Sequence, residues 1–284
     1  MVSTAVLWST AGVITRHLDT QNGFEMNFWR GLFTAFFVFC VLVFQYGKNV
    51  YPTFRNTGSI GILSGILWGV MFSGFMIALS LTTVANTHLI DSLTPFLTAI
   101  LAWIVLKQKT PMRTCFAIIF ASIGVICMFW GGAVGGDKHL LGMLVSLLVP
   151  FSFSLNFVLL KKAGKEVDFI PTVFIGAIFS ALCMLPFVSP FQTTLHDIFI
   201  LAVLGIFQSG IPCVFLVIAS RTLSPPEISL IAMLEIVLGP LWVWLGAGET
   251  PSMSTIIGGV FILSALFWNE SALFFNGNNI NKRQ

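Results

Sequence analysis

Thr87 to Pro111 (THLIDSLTPFLTAILAWIVLKQKTP) and Glu227 to Pro251 (EISLIAMLEIVLGPLWVWLGAGETP) are one kind of segment written twice, 140 positions apart. Each is an apolar run of helix length that closes on Thr-Pro, and each carries a carboxylate inside it, Asp91 in the first and Glu235 in the second. The same shift sets Gly65 on Gly205, Ser80 on Ser220, Thr82 on Thr222 and Leu101 on Leu241, so the echo extends upstream. Duplicated helices with acids in hydrocarbon-length runs are a transporter-like pattern.

Composition agrees. Hydrophobic residues make up 56% of the chain and charged ones 9%, against about 25% charged in soluble globular proteins. The chain is therefore read as a polytopic membrane protein. A net charge of +3 with scattered Lys and Arg does not suggest nucleic acid. Cys40, Cys115, Cys127, Cys183 and Cys213 all fall in apolar runs without CxxC or Cys-His spacing, so no disulfide framework or zinc site is expected. No basic n-region precedes the first apolar run, and no cleavable signal is expected.

A spanning helix needs about 20 largely apolar residues. Ten candidates follow along the chain: Val2 to Thr15, Glu25 to Tyr46, Gly58 to Ser80, Ala85 to Leu106, Arg113 to Trp130, Leu140 to Leu160, Ile170 to Val188, Ile198 to Ser220, Glu227 to Leu245 and Met253 to Phe274. The first is short, as expected of a tilted helix or of a chain that begins late. Residues 276–284 (NGNNINKRQ) read as a disordered cytoplasmic tail.

With both termini on one side, that side collects 11 of the 14 basic residues, among them Lys107, Lys109, Lys161, Lys162 and Lys165. The other side keeps Arg16, Arg30 and Lys138. This bias places both termini in the cytoplasm. The expected fold is an all-α integral membrane protein of ten transmembrane helices, arranged as two five-helix repeats of inverted topology, residues 1–132 and 140–275. A shift of 145 sets Ser9 on Ser154, Val13 on Val158 and Gly31 on Gly176. Gly61, Gly65, Gly69 and Ser73 recur every four residues, as Gly205, Ser209 and Cys213 do, which lines small residues on one face for close helix packing.

These features resemble the drug/metabolite transporter superfamily, specifically its EamA branch. The resemblance is carried by Trp8-Ser9 in the first helix, Arg30 opening the second, Pro95 in SLTP, and the run from Met233 to Gly259 (MLEIVLGPLWVWLGAGETPSMSTIIGG). The first half departs from the pattern, with Lys109 where the family usually has Glu and Ile118 opposite Gly258. The resemblance implies carrier-type movement of small organic solutes such as amino acids, related metabolites or drugs, usually across a bacterial inner membrane.

Site candidates follow from the cost of polar groups in hydrocarbon. A mid-depth carboxylate costs about 2.5–3.5 kcal/mol on insertion scales and so faces a bundle interior or a wet cavity. Glu235 is the foremost candidate, eight residues into its helix, followed by Gly239 and Pro240, which can kink it. Pro95 holds the equivalent place in the first half. His88 lies three residues before Asp91, hence on the same face, where the two could share a proton. The alternatives are a Glu235 bonded to neighbouring hydroxyls and a His88–Asp91 pair satisfied near the headgroups. Trp8 and Trp68 are candidate cavity walls, and Ser9 and Asn156 candidate neutral hydrogen-bonding groups.

The expected function is secondary transport by alternating access, driven by protons or by exchange; the alternatives are a membrane-embedded enzyme and a non-transporting sensor or scaffold. No HExxH, GxSxG or Walker motif occurs. Expected partners are a small-molecule substrate, the lipid bilayer and, where a gradient drives transport, protons. No cofactor or metal is expected, and the chain is expected to act as a monomer or homodimer.

Overall fold

The computed structural model describes residues 1–15, 17–19, 22–82, 84–129, 137–164, 168–188, 193–248 and 252–280. These residues are mostly helical, with no strand among them. Ten helical segments are named here: α1 (Val2–Thr15), α2 (Gly23–Tyr46), α3 (Gly58–Leu81), α4 (Val84–Asp91 and Thr94–Leu106), α5 (Met112–Phe129), α6 (Asp137–Ser146 and Leu148–Ala163), α7 (Ile170–Met184), α8 (Leu195–Ser220), α9 (Pro225–Ala232 and Leu234–Ala247) and α10 (Met253–Ile280). Seven of them, α2 to α4 and α6 to α9, are long and apolar enough to cross a membrane. The other three contain shorter apolar helices, Val2–Thr15, Met112–Met128 and Met253–Asn269.

Helix ends follow local chemistry. The Asn22 side chain accepts from the N–H groups of Phe24 and Glu25 and starts α2. Pro225 and Pro226 open α9, while the Glu227 carboxylate reaches back to the Ser224 N–H at 2.8 Å. Gly248 ends α9 with φ 71°, a conformation that costs glycine nothing. α10 runs on to Ile280, through the first residues of the expected disordered tail. Helix propagation gains a backbone bond per residue, so a polar composition does not by itself end a helix that is already nucleated. Residues 281–284, the Thr250-Pro251 end of the second echo, Arg16, Glu249 and Lys165 lie outside the described residues.

The small-residue faces are where helices meet. A Cβ on Gly65 would lie 2.5 Å from Ile175 of α7, and one on Gly205 would lie 2.6 Å from Phe33 and 2.8 Å from the Arg30 carbonyl of α2. Without Cβ atoms these backbones approach within contact, as small-residue packing in membranes requires. α7 thus packs on α2 and α3, and α2 on α8; α6 packs on α3 and α4, α1 on α8 and α9, α4 on α9, and α5 on α10. One buried apolar cluster joins Val38, Trp68, Phe157, Val173 and Leu216; a second joins Ile118, Val125, Leu230 and Ile262. Phe44, Phe199 and Phe267 point outward and exposed, which suits a lipid-facing surface.

Five helices depart from regular geometry. α1 and α6 are interrupted at single residues, Thr10 and Leu147. α4 breaks at Ser92–Leu93 and α9 at Met233, and Leu93 and Met233 are equivalent under the 140-residue shift. The sequence reading looked to Pro95 and Pro240 for these irregularities. The α4 break falls in the turn before Pro95, which has no N–H for the Asp91 carbonyl, and Thr94 Oγ1 bonds that carbonyl at 2.6 Å instead; Pro240 lies inside a helix that continues past it. In α8, Leu204–Gly210 forms a π-helical turn. Pro212, which has no N–H, stands four residues after Gln208 and so deprives the Gln208 carbonyl of its ordinary helical partner.

Candidate functional site

The irregular helices α1, α4, α6, α8 and α9, with α2 and α3, surround two adjoining chambers. The smaller, about 140 Å³, includes Met71, Phe72, Asp91, Phe153 and Met233 in its wall. The larger, about 570 Å³, runs between the second half of α1, the start of α2, the first half of α8 and the second half of α9, with Gly12, Met26, Leu201 and Val243 among its lining residues. Trp8, Arg30, Phe75, His88, Gln208, Glu235 and Ile236 line both. The larger volume falls within the range of about 300–1,000 Å³ usual for small-molecule sites.

Charged groups face this space from different helices. Glu235 stands in the first turn of the second half of α9, and its carboxylate makes no hydrogen bond to any described residue. Asp91 ends the first half of α4; its Oδ1 is buried without a hydrogen-bond partner. Arg30, in the second turn of α2, donates from Nη2 to Asn27 Oδ1 at 3.1 Å and lies over the Phe72 ring at 6.0 Å. Asn27 in turn donates to Ser180 Oγ at 2.9 Å, and Ser73 donates to the same oxygen at 3.1 Å, so α3 and α7 hold the guanidinium's support in place. Gln208, turned inward by the π-helical turn, donates to the Trp8 carbonyl at 3.5 Å. No ion pair joins Arg30 to either carboxylate.

The bundle's two ends differ. Next to Tyr46, Asp168 accepts from Arg221 Nη2 at 2.9 Å and from the Tyr46 hydroxyl, and Lys161 Nζ donates to the Leu223 carbonyl at 2.9 Å. These bonds tie α2, α6, α7 and α8 together at that end. At the opposite end Glu25 accepts from the Thr193 N–H at 2.8 Å and from its hydroxyl, and Trp29 Nε1 donates to Thr193 Oγ1 at 3.1 Å. The larger chamber lies toward this second end.

Residues 1–130 and, separately, 140–269 match the EamA-like transporter family. The chain belongs to this family. Among the relatives of this EamA-like chain, the S-adenosylmethionine uptake transporter of Rickettsia prowazekii is 25% identical over 256 residues, 89% of this chain and 85% of its own length. An uncharacterized transporter of Clostridium kluyveri is 23% identical over 285 residues, 95% of this chain and 91% of its own. One crystal structure of a protein at 17% identity superposes with a TM-score of 0.79, covering 94% of this chain and 93% of that one, a likeness of fold. The EamA-like protein is thus a membrane transporter of the drug/metabolite type and not an enzyme.

Of the residues singled out in the EamA-like sequence, Glu235, His88 and Trp8 line both chambers, Asp91 the smaller and Ser9 the larger. The Trp8 ring meets Phe153 edge-on at 6.5 Å. Ser9 Oγ donates to the Val6 carbonyl and accepts from Trp242 Nε1 at 2.8 Å, so its hydroxyl is held by α9. Trp68, Pro95 and Asn156 are not brought to the chambers. Trp68 is fully buried between Phe72 and Phe157; Pro95 is buried in its half-helix. Asn156 accepts from Ser64 Oγ at 2.6 Å, inside the α3–α6 contact.

Two chamber-lining polar residues are not among the sequence's site candidates, Arg30 and Gln208. The sequence places Arg30 at the opening of the second helix and in the external share of basic residues, yet it lies within an apolar helix and obeys the rule that singled out Glu235. Gln208 carried a weaker signal, one amide in the apolar stretch GIFQSG.

Proposed function

We propose that this EamA-like protein is a secondary carrier that moves a small organic metabolite across a bacterial inner membrane by alternating access. The observation that carries the reading is the polar junction of the two chambers, where Arg30, His88, Gln208 and Glu235 face one space between broken or distorted helices. Charged groups held in a bundle core without pairing each other are costly unless they serve a solute.

Two five-helix halves of inverted topology are supported by the separate family matches to residues 1–130 and 140–269 and by the packing pattern. Exchanging the halves turns α3–α7 into α8–α2, α6–α3 into α1–α8, and α6–α4 into α1–α9, and returns α4–α9 and α5–α10 to themselves. Trp8 touches Phe153, its own counterpart under the 145-residue shift, as a residue beside a pseudo-two-fold axis would. The basic-residue bias puts the Arg221–Asp168–Tyr46 end in the cytoplasm and both termini with it. On this orientation the larger chamber lies on the external side, and the bonds at Asp168 close the internal one.

S-adenosylmethionine, named for the Rickettsia relative, is the first cargo to test: it joins an amino-acid head and a sulfonium to a flat adenine, matching a cavity with two acids, one base and the rings of Trp8, Phe72 and Phe153. Purified protein in proteoliposomes is supplied with labelled S-adenosylmethionine and with a panel of amino acids and metabolites, with and without a pH gradient. Time-dependent accumulation of at least one solute above protein-free vesicles is expected; its absence for the whole panel overturns the carrier reading.

A further inference from the structure

In the junction of the chambers the acids and the base stand apart. Asp91, Glu235 and Arg30 line the smaller chamber together, from α4, α9 and α2, and no ion pair joins Arg30 to either acid. The guanidinium has five N–H donors, of which Asn27 takes one, and no other described residue accepts from it. Asp91 Oδ1 is buried and unbonded, and the Glu235 carboxylate has no hydrogen-bonded protein partner. One cavity therefore holds a guanidinium and two acidic side chains, and none of the three is bonded to another. An ionised acid left unpaired here costs free energy; pairing Arg30 with Glu235 would offset it, but Asn27, anchored to Ser180, bonds the guanidinium instead. What satisfies all three at once is a solute that brings both signs.

We infer that the junction is a dipolar clamp for amino-acid-type solutes, with Arg30 taking the solute's carboxylate and Asp91 with Glu235 taking its ammonium or other cationic centre. The planar fork of arginine suits a carboxylate, which it binds through two parallel N–H donors. Phe72, Phe75 and Trp8 then flank the solute between the charged poles. Solutes with a single sign leave one pole unpaired, and burying an unpaired polar group is the strongest source of discrimination a binding site has. The inference rests on the carrier reading above and adds to it the side chains that carry the choice of solute, Arg30 at one pole and Asp91 with Glu235 at the other.

The test uses full-length protein in detergent and in proteoliposomes with two matched sets. One set is L-phenylalanine, phenethylamine and 3-phenylpropionate; the other is S-adenosylmethionine and its decarboxylated analogue. Affinity is read by ligand-induced thermal stabilisation. In at least one set the member bearing both signs is expected to bind about tenfold or more tightly than its single-sign or decarboxylated partners, as loss of a charge-assisted bond implies. Arg30→Gln is expected to bring the ratio between the two-sign member and its amine partner to within about threefold, with Arg30→Lys intermediate because it keeps charge without the fork. Glu235→Gln is expected to erode the preference over the carboxylate-only member instead. Equal binding of single-sign members, binding by no member of either set, or an Arg30→Gln protein that melts like the wild type and keeps the full preference overturns the clamp. The two failures are distinguishable: accumulation of phenethylamine or 3-phenylpropionate as fast as L-phenylalanine removes the clamp and leaves the carrier, whereas a protein that accumulates no solute removes the carrier.

Discussion

A carboxylate in the middle of an apolar bundle is costly to keep, and Glu235 has no hydrogen bond from a described residue to offset the cost. Its use can be separated by one substitution. Glu235→Gln keeps shape and hydrogen-bonding capacity but cannot carry a proton. If Glu235 moves protons, gradient-driven uptake is lost while exchange of preloaded substrate persists. If it serves as counter-charge, binding and exchange both weaken, by about 1.5–3 kcal/mol for one charge-assisted bond. Uptake and exchange both equal to wild type would show Glu235 to be a packing residue. Asp91→Asn, which alters only the smaller chamber, is expected to have the milder effect in the same assays. Trp68 stands for the opposite case: buried between Phe72 and Phe157 and against Gly176, it lines neither chamber. Trp68→Ala is expected to lower stability by about 3–5 kcal/mol while the protein that folds keeps its substrate affinity; weakened binding at unchanged melting temperature would place Trp68 in the site after all.

Helices here are shaped by what lies at a contact more than by their own propensity. A Cβ on Gly176 would lie 2.8 Å from the Gly65 carbonyl and 3.0 Å from the Gly69 N–H, so Gly176→Leu is expected to destabilise by about 1–3 kcal/mol or more through overpacking. Its melting profile by size-exclusion after heating checks this; an unchanged profile would mean that α3 and α7 are free to separate. The π-helical turn in α8 belongs to the same scale. Pro212→Ala returns the N–H that can bond the Gln208 carbonyl, which favours ordinary α-helix and turns Gln208 away from the chamber. Stability equal to or above wild type with reduced transport is the expected result. Full transport by Pro212→Ala would show that the turn has another cause or no role.

Across the whole molecule, the bonds at Asp168 tie helices together at one end, and on the proposed orientation they close the internal side while the larger chamber faces the other. In a protein freed of its native cysteines, Gly12→Cys in the larger chamber is expected to react with a membrane-impermeant thiol reagent added outside. Adding Asp168→Asn, which weakens the tie to Arg221 and Tyr46, is expected to slow that reaction by shifting the population toward the inward-facing form. A rate that does not change would remove the gating role of this network. Orientation is checked separately: reporters after Gln284 and between Lys161 and Lys165 should be cytoplasmic, and one between Ala133 and His139 external. External labelling of Lys162→Cys in intact cells would reverse the assignment.

The chain by itself determined the class of this protein, because the cost of taking a backbone and its charges into hydrocarbon is a local property, legible from composition and from runs of apolar residues. For the same reason it singled out Glu235, Asp91, His88, Trp8 and Ser9, which the structure places around one space. The second echo was visible because duplication leaves matching residues at a constant offset. What only the tertiary structure decided is which side of each helix faces that space. Helices that are apolar all round carry no stripe to say so, and the answer comes from the neighbour: Asn156 turns to Ser64, Trp68 to Phe157, and Arg30, in sequence only the basic residue opening the second helix, lines the chambers with Asn27 and Ser180 behind it. The break before Pro95 was legible in the chain itself, because a proline leaves the carbonyl four residues back without its N–H, whereas the break at Met233 was not, since Pro240 lies within a continuous helix and no proline marks it.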